Sequence, residues 1–303
     1  AMLGEEVEFE LEWASVYTFR CRKMDSFIHH GVVFMGDAAH QVSPFGARGA
    51  NGALQGVDNL VWKLARILKG QASAALLATY DDERQHGAAE NILNSTRATD
   101  FITPKSRVSR LFRDVTLELA EHYPFARSLV NSGRLSMPCR YDGSPLNGPD
   151  AEGAPRELRP GSPAKDAPVR RDGEAAWLLN QLGDRFVLLL DGRMDEASAA
   201  PLAAELDALL ARQPDLDPVV IGPAPDALAG LPRSRVLEDN KGLVGERYGL
   251  TAGGGYLLRP DQHVAARWRA VTAAGVNDAL ARALGTHLAA TATTTQGGRH
   301  ATA

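Results

Sequence analysis

Gly36-Asp37-Ala38-Ala39-His40, then Pro44, Phe45, Gly46, Gly49, Ala50 and Asn51, then Asp58-Asn59-Leu60-Val61-Trp62-Lys63-Leu64, reads as a strand end, a Gly-rich turn and a helix start. Val32 to Met35 are consecutive apolar residues, which predicts a strand buried on both faces of a parallel sheet. The Gly-Asp pair falls at its carboxyl end, where open α/β sheets bind ligands. A carboxylate there can accept a hydrogen bond from a ligand hydroxyl. Gly46 and Gly49 allow conformations and close approaches that a Cβ would block. Leu54, Val57, Val61, Leu64 and Leu68 recur in helical register, which predicts a helix over 51–69 with its amide end toward whatever Asp37 holds. Asn51 is a favoured cap for such a helix.

This ordered run resembles the second FAD-binding motif of the class A flavoprotein monooxygenases, the FAD-dependent aromatic hydroxylases, and the resemblance extends from about Val7 to the end of the chain. Phe101-Ile102-Thr103-Pro104-Lys105-Ser106 and Asn131-Ser132-Gly133-Arg134-Leu135-Ser136 also resemble a hydroxylase subgroup, without a separate chemistry attached. The resemblance implies an α/β fold with FAD as cofactor and NAD(P)H as reductant. Gly36 and Asp37 would hold the ribityl chain, and amides from about Gly49 to Gly52, through Ala50 and Asn51, would face the flavin's pyrimidine oxygen. Pro44 and Phe45 would wall the reactive edge of the ring, and Gly46 would let the backbone approach the cofactor. The implied reaction is hydroxylation of a small phenolic substrate by O2 through a flavin C4a-hydroperoxide. No side chain receives an acid-base role: His40 is a loop histidine, and Arg48 contacts ligand or solvent.

The family's Gly-x-Gly-x-x-Gly turn, which binds the ADP half of FAD, has no match in these residues. The expectation is therefore a carboxyl-terminal portion that is inactive alone. The alternatives are a non-catalytic binding or dimerisation module, and an FAD-dependent epoxidase or reductase of the same fold.

At 303 residues the chain exceeds the usual size of one domain. Its net charge of -4, with both signs interspersed, gives no basic field for nucleic acid. No apolar run is long enough for a membrane span, and Cys21 and Cys139 suit neither a disulfide framework nor a metal site, so the expected location is the cytoplasm. The first unit covers 1–140. Phe9 to Arg22 is strand-like, helices follow over about 72–99 and from Pro104, and Pro124 opens another. Val108, Leu111, Phe112, Val115 and Leu119 share one face. His29-His30 reads as an exposed turn, His86 with Glu90 as a solvated helix pair, and Lys63 as packing with a solvated tip.

Residues 141–172 are rich in Pro and Gly and read as a linker. From 173 to 303 the pattern predicts strands near Arg185, Val219, Tyr256 and His263, with helices over 197–210, 243–248 and 273–288. This order, with Leu258-Arg259-Pro260-Asp261-Gln262-His263-Val264, resembles the thioredoxin-like tail of the phenol-hydroxylase branch. The region holds no cysteine, so Cys-x-x-Cys chemistry does not follow. A packing or homodimer contact is the expected role, and the tail from about Ala289 is expected to be poorly ordered.

Overall fold

In the computed structural model, which describes residues 10–130 and 139–288, the expected parallel-sheet strand over Val32 to Met35 is replaced by short antiparallel pairs. β1 (Arg22–Lys23), β2 (Ile28–His29), β3 (Val32–Val33) and β4 (His40–Gln41) are each two residues long. β2 and β3 form a hairpin, and β1 pairs with β4. His30 and Gly31 both have positive φ, 49° and 83°, as a two-residue hairpin turn of this kind requires. Val32 is exposed, which corrects the reading of 32–35 as buried on both faces. Within the described residues the hairpin is this segment's ladder, and no parallel neighbour extends it. Residues 10–21 likewise form no strand, and Trp13 and Phe19 lie exposed, each against the exposed Tyr17 ring.

Helices then take over: α1 (Arg48–Leu68), α2 (Ala78–Ile102), α3 (Arg107–His122) and α4 (Pro124–Val130). α1 starts three residues before the expected position, from Ala47 in the left-handed region at φ 50°. Ser106, whose Oγ accepts from the Ser109 amide at 3.0 Å, caps α3 in place of Pro104. The amphipathic faces also turn the other way. α1 buries Gly52, Gly56, Asn59, Trp62, Lys63 and Arg66, while Leu54, Val57, Val61, Leu64 and Leu68 face outward. On α3, Val108, Leu111, Phe112 and Val115 are exposed.

The second half has a conventional core. The hairpin of β5 (Pro168–Arg171) and β6 (Glu174–Trp177) precedes β7 (Phe186–Asp191), α5 (Glu196–Arg212), β8 (Leu216–Ile221), α6 (Asp226–Ala229) and β9 (Arg235–Leu237). α7 (Leu243–Tyr248), the hairpin of β10 (Gly255–Leu258) and β11 (Val264–Trp268), and α8 (Ala273–Ala283) follow. The sheet order is β11-β10-β7-β8-β9. β7, β8 and β9 are mutually parallel, and β10 is antiparallel to β7 and β11. Alternate residues feed opposite faces, as the two-residue strand period dictates. Leu188, Leu190 and Val220 pack with Leu206 and Leu280, and Val187, Leu189 and Val219 pack with Val244 and Tyr248.

The Pro/Gly-rich stretch is packed rather than free. Leu146 and Leu158 are fully buried, one in each core, and Trp62 of α1 reaches the first of them. Gly148 and Gly161 donate their amides to the Ala265 and Val264 carbonyls, at 2.7 and 2.8 Å. Asn131 to Ser136 and the tail from Ala289 lie outside the described residues.

Candidate functional site

Gly36, at φ 57°, opens a single turn of 3₁₀ helix over Gly36–Ala38 that the Ala39 amide closes on the Gly36 carbonyl at 3.0 Å. A Cβ on Gly36 would sit 3.5 Å from the Ala53 Cβ, so this turn rests directly on the second turn of α1. Asp37 is exposed at a cleft of about 270 Å³ that Arg22, Lys23, His40 and Gln41 also line. His40 is buried, its ring 5.8 Å from that of Phe27, and its Nδ1 has no hydrogen-bond partner among the described residues. Burial, then the Arg84 charge, pull its pKa below the ordinary histidine value.

Pro44, Phe45, Gly46, Gly49, Ala50 and Asn51 do not line this cleft. They form the loop and first turn that lead into α1. Ser95 of α2 pins the loop, its Oγ lying 3.1 and 3.2 Å from the carbonyls of Ser43 and Phe45. Gly46 adopts φ 95° and needs its glycine. Gly49 does not for steric reasons: its Cβ would meet Val42 at an ordinary 3.6 Å, whereas one on Gly52 would come within 2.9 Å of Asn91 Nδ2. Asn51 is not the cap. It lies inside the first turn and donates from Nδ2 to the Ala47 carbonyl at 2.8 Å.

Behind that turn lies a buried polar network with no counterpart in the sequence reading. The Glu83 carboxylate accepts from Arg259 Nη1 at 2.7 Å and Nη2 at 2.9 Å, from Lys63 Nζ at 2.7 Å, from Asn59 Nδ2 at 2.7 Å and from Ser144 Oγ at 2.6 Å. Arg259 also forks onto Asp261, at 2.9 and 2.5 Å, and lies over the rings of Trp62 and Tyr141. Lys63 is fully buried, so its expected solvated tip is corrected: a charged partner on α2 and Asn59, four residues back, satisfy it inside. Burial alone would raise the Glu83 carboxyl, but the Arg259 and Lys63 charges hold it well below the usual range. Asp261 is depressed likewise, by Arg259 and then His263 against its burial.

A second chain of contacts runs from this network to the site. His263 stacks on Tyr141 with ring centroids 4.5 Å apart, and the Tyr141 hydroxyl accepts from Arg84 Nη1 at 2.8 Å. Arg84 Nη2 donates to the Gly52 carbonyl at 3.0 Å. The Arg259 to His263 motif thus reaches α1 beside the Gly36–Ala38 turn. The sequence did carry a signal: Asn59 and Lys63 share a helical face with Gly52 and Gly56, opposite the apolar stripe.

Residues 2–95 match the family model of the FAD binding domain. The chain is 35% identical over 246 residues to a tetracenomycin A2 monooxygenase-dioxygenase of Streptomyces glaucescens, covering 79% of this chain and 38% of that protein. It is 30% identical to a 3-(3-hydroxy-phenyl)propionate/3-hydroxycinnamic acid hydroxylase of Burkholderia vietnamiensis, covering 91% of this chain and 51% of the relative. Among solved structures, K252c-soaked RebC superposes with a TM-score of 0.62 at 26% identity, covering 93% of this chain and 50% of that one. An aklavinone-11 hydroxylase complex with FAD and aklavinone shares the fold, with a TM-score of 0.63 at 24% identity, over 88% of this chain and 45% of that one. The chain therefore spans roughly half or less of the length of these relatives.

Proposed function

Because this chain belongs to the family of FAD-dependent aromatic hydroxylases, we propose that it contributes the ribityl and pyrimidine side of an FAD site to a monooxygenase acting on a phenolic substrate. The observation that carries this reading is the exposed Asp37 carboxylate on a turn seated against α1, with His40, whose Nδ1 has no partner among the described residues, lining the same cleft. These groups suit a flavin's hydroxyl-bearing chain: Asp37 offers an acceptor, and the first amides of α1 offer donors for a polar ring edge. Pro44 and Phe45, held by Ser95, would wall the ring and exclude water. When bound, FAD would supply the redox chemistry, accepting a hydride from NAD(P)H and reacting with O2 at its C4a position. The protein's part is to orient it, and α1 is in turn positioned by Arg84 through Gly52.

We further infer that residues 173–303 form a thioredoxin-like unit without redox chemistry. The order β11-β10-β7-β8 with flanking α5 and α8 supports this, as does the absence of cysteine in that range. The units at 1–140 and 141–172 keep their proposed boundaries, although they are tied to the tail unit through Glu83 and Arg259.

Titration of the chain with FAD, read by flavin fluorescence and repeated with Asp37→Ala, tests the site. Loss of a charged acceptor for a buried hydroxyl should weaken binding by about 1.5 to 3 kcal/mol. Equal affinity in the two proteins would remove Asp37 from the site. Phenol-stimulated NAD(P)H oxidation tests the reaction itself.

A further inference from the structure

His86 and Glu90 sit one helical turn apart on α2, and Cys139 comes to them from the segment that leads into Tyr141. One ligand atom from each of the three lies within 4.8 Å of the others. We propose that His86, Glu90 and Cys139 form a Zn²⁺ site that clips the 139–141 segment onto α2. Nothing in the flavin reading uses these residues, and the fold brings Cys139 to the His86–Glu90 pair in a way that the sequence reading, which gave Cys139 no metal role, does not contain.

The donor set is one imidazole nitrogen, one carboxylate oxygen and one thiolate sulfur, each a regular Zn²⁺ ligand. A mixed N/O/S set of this kind favours Zn²⁺ over the hard cations Mg²⁺ and Ca²⁺, which take oxygen ligands. The spacing is slightly wider than the contacts around a bound ion. The two helix residues are the ones free to close it, since His86 is exposed and Glu90 half-buried while Cys139 is buried. The exposed His86 side gives the ion its way in and leaves a fourth position for water.

Without metal, burial and a hydrogen bond to Glu90 push the Cys139 thiol well above its ordinary pKa. A coordinated divalent ion reverses that balance and deprotonates the thiol outright. The binding step is therefore Zn²⁺ plus the Cys139 thiol giving a zinc thiolate, with one proton released to solvent and no change of oxidation state. The Arg84 charge acts on the same thiol and opposes a cation, while Glu83 and Glu90 act in the other sense.

The clip has a structural consequence. Cys139 is two residues from Tyr141, which carries the Arg84 contact, and the Cys139 carbonyl faces His263 Nε2 at 3.1 Å. Zn²⁺ would thus reinforce the join between α2 and the β10–β11 hairpin, raising the unfolding temperature by mass action.

The test uses the full chain without an affinity tag, stripped with a chelator and titrated with Co²⁺ and then Zn²⁺. One Co²⁺ per chain with a thiolate-to-cobalt charge-transfer absorption is expected, displaced by Zn²⁺, present in Cys21→Ser and lost in Cys139→Ser. His86→Ala removes an exposed side chain and leaves the core alone, so it guards against a misfolded cysteine variant. It should weaken Zn²⁺ binding by at least about 10-fold and abolish the rise in unfolding temperature. No one-to-one binding, a charge-transfer band that survives Cys139→Ser, or unchanged Zn²⁺ affinity in His86→Ala would each overturn the site.

Discussion

Glu83 is the residue on which the join between the two halves turns. It accepts hydrogen bonds from α1, from the 139–172 stretch and from the β10–β11 hairpin at once. Removing one member of a buried ion pair leaves the partners' charge uncompensated, so Glu83→Gln should cost about 3 to 5 kcal/mol in urea unfolding. The sign of its pH dependence follows from the depressed carboxyl. The stabilisation is fully present above the ordinary value of 4.5 and is lost progressively as pH falls from there through the much lower folded value. The gap between wild type and variant should therefore be flat from pH 7 to 5 and close only in stronger acid. A gap that already narrows between pH 7 and 6 would mean that Glu83 is not held ionised by Arg259. Beyond the helical face that Asn59 and Lys63 share, this network was not legible from local sequence: Lys63 reads as a solvated helix residue because Glu83 lies on another element. The Gly-Asp turn is a local pattern and so visible in the sequence, whereas the burial of His40, read there as a loop histidine, and the lack of a hydrogen-bond partner for its Nδ1 among the described residues depend on packing around Phe27.

At the scale of elements, helix periods were readable but their inward faces were not. Leu54, Val57, Val61, Leu64 and Leu68 share a face, as their spacing says. The face that goes inward is the one carrying Gly52, Asn59 and Lys63, because those residues meet α2 and Arg259's network. The packing of the 141–172 stretch was hidden for a related reason. Pro and Gly mark a chain unable to form long ladders, but they do not prevent single amides from pairing with a strand edge, as Gly161 does with Val264. Gly161 offers a direct measurement of that packing. Its φ is 89° and a Cβ would lie 2.5 Å from the Tyr141 carbonyl oxygen, while Gly173 at φ 82° has open space around it. Gly173→Ala should cost only the left-handed strain, about 1 to 2 kcal/mol. Gly161→Ala should exceed it clearly in thermal unfolding, since backbone must move as well. Equal costs at the two sites would show that the stretch lies loose in solution.

Across the whole molecule, the exposed large apolar side chains are distributed one-sidedly. Apart from Trp177 and Val236, those among the described residues all lie before residue 131. The sheet of β7, β8 and β10 is sealed on both faces, whereas α3 exposes Val108, Leu111 and Phe112. Burial is what makes opening costly, so the two regions should differ in local stability although Glu83 and Arg259 tie them together. Hydrogen exchange of the full chain reads this directly. Amides of β7, β8 and β10 open only with global unfolding, whereas α3 can fray with little apolar surface to lose. The β7 amides should exchange at least about 100-fold more slowly than those of α3 at low protein concentration. Contiguous apolar surface of this kind also favours association, so the ratio should shrink as concentration rises and α3 becomes covered. Protection of α3 equal to that of β7 in dilute protein would mean that its apolar face is already buried in the single chain, and the one-sided distribution would then have no bearing on its behaviour in solution.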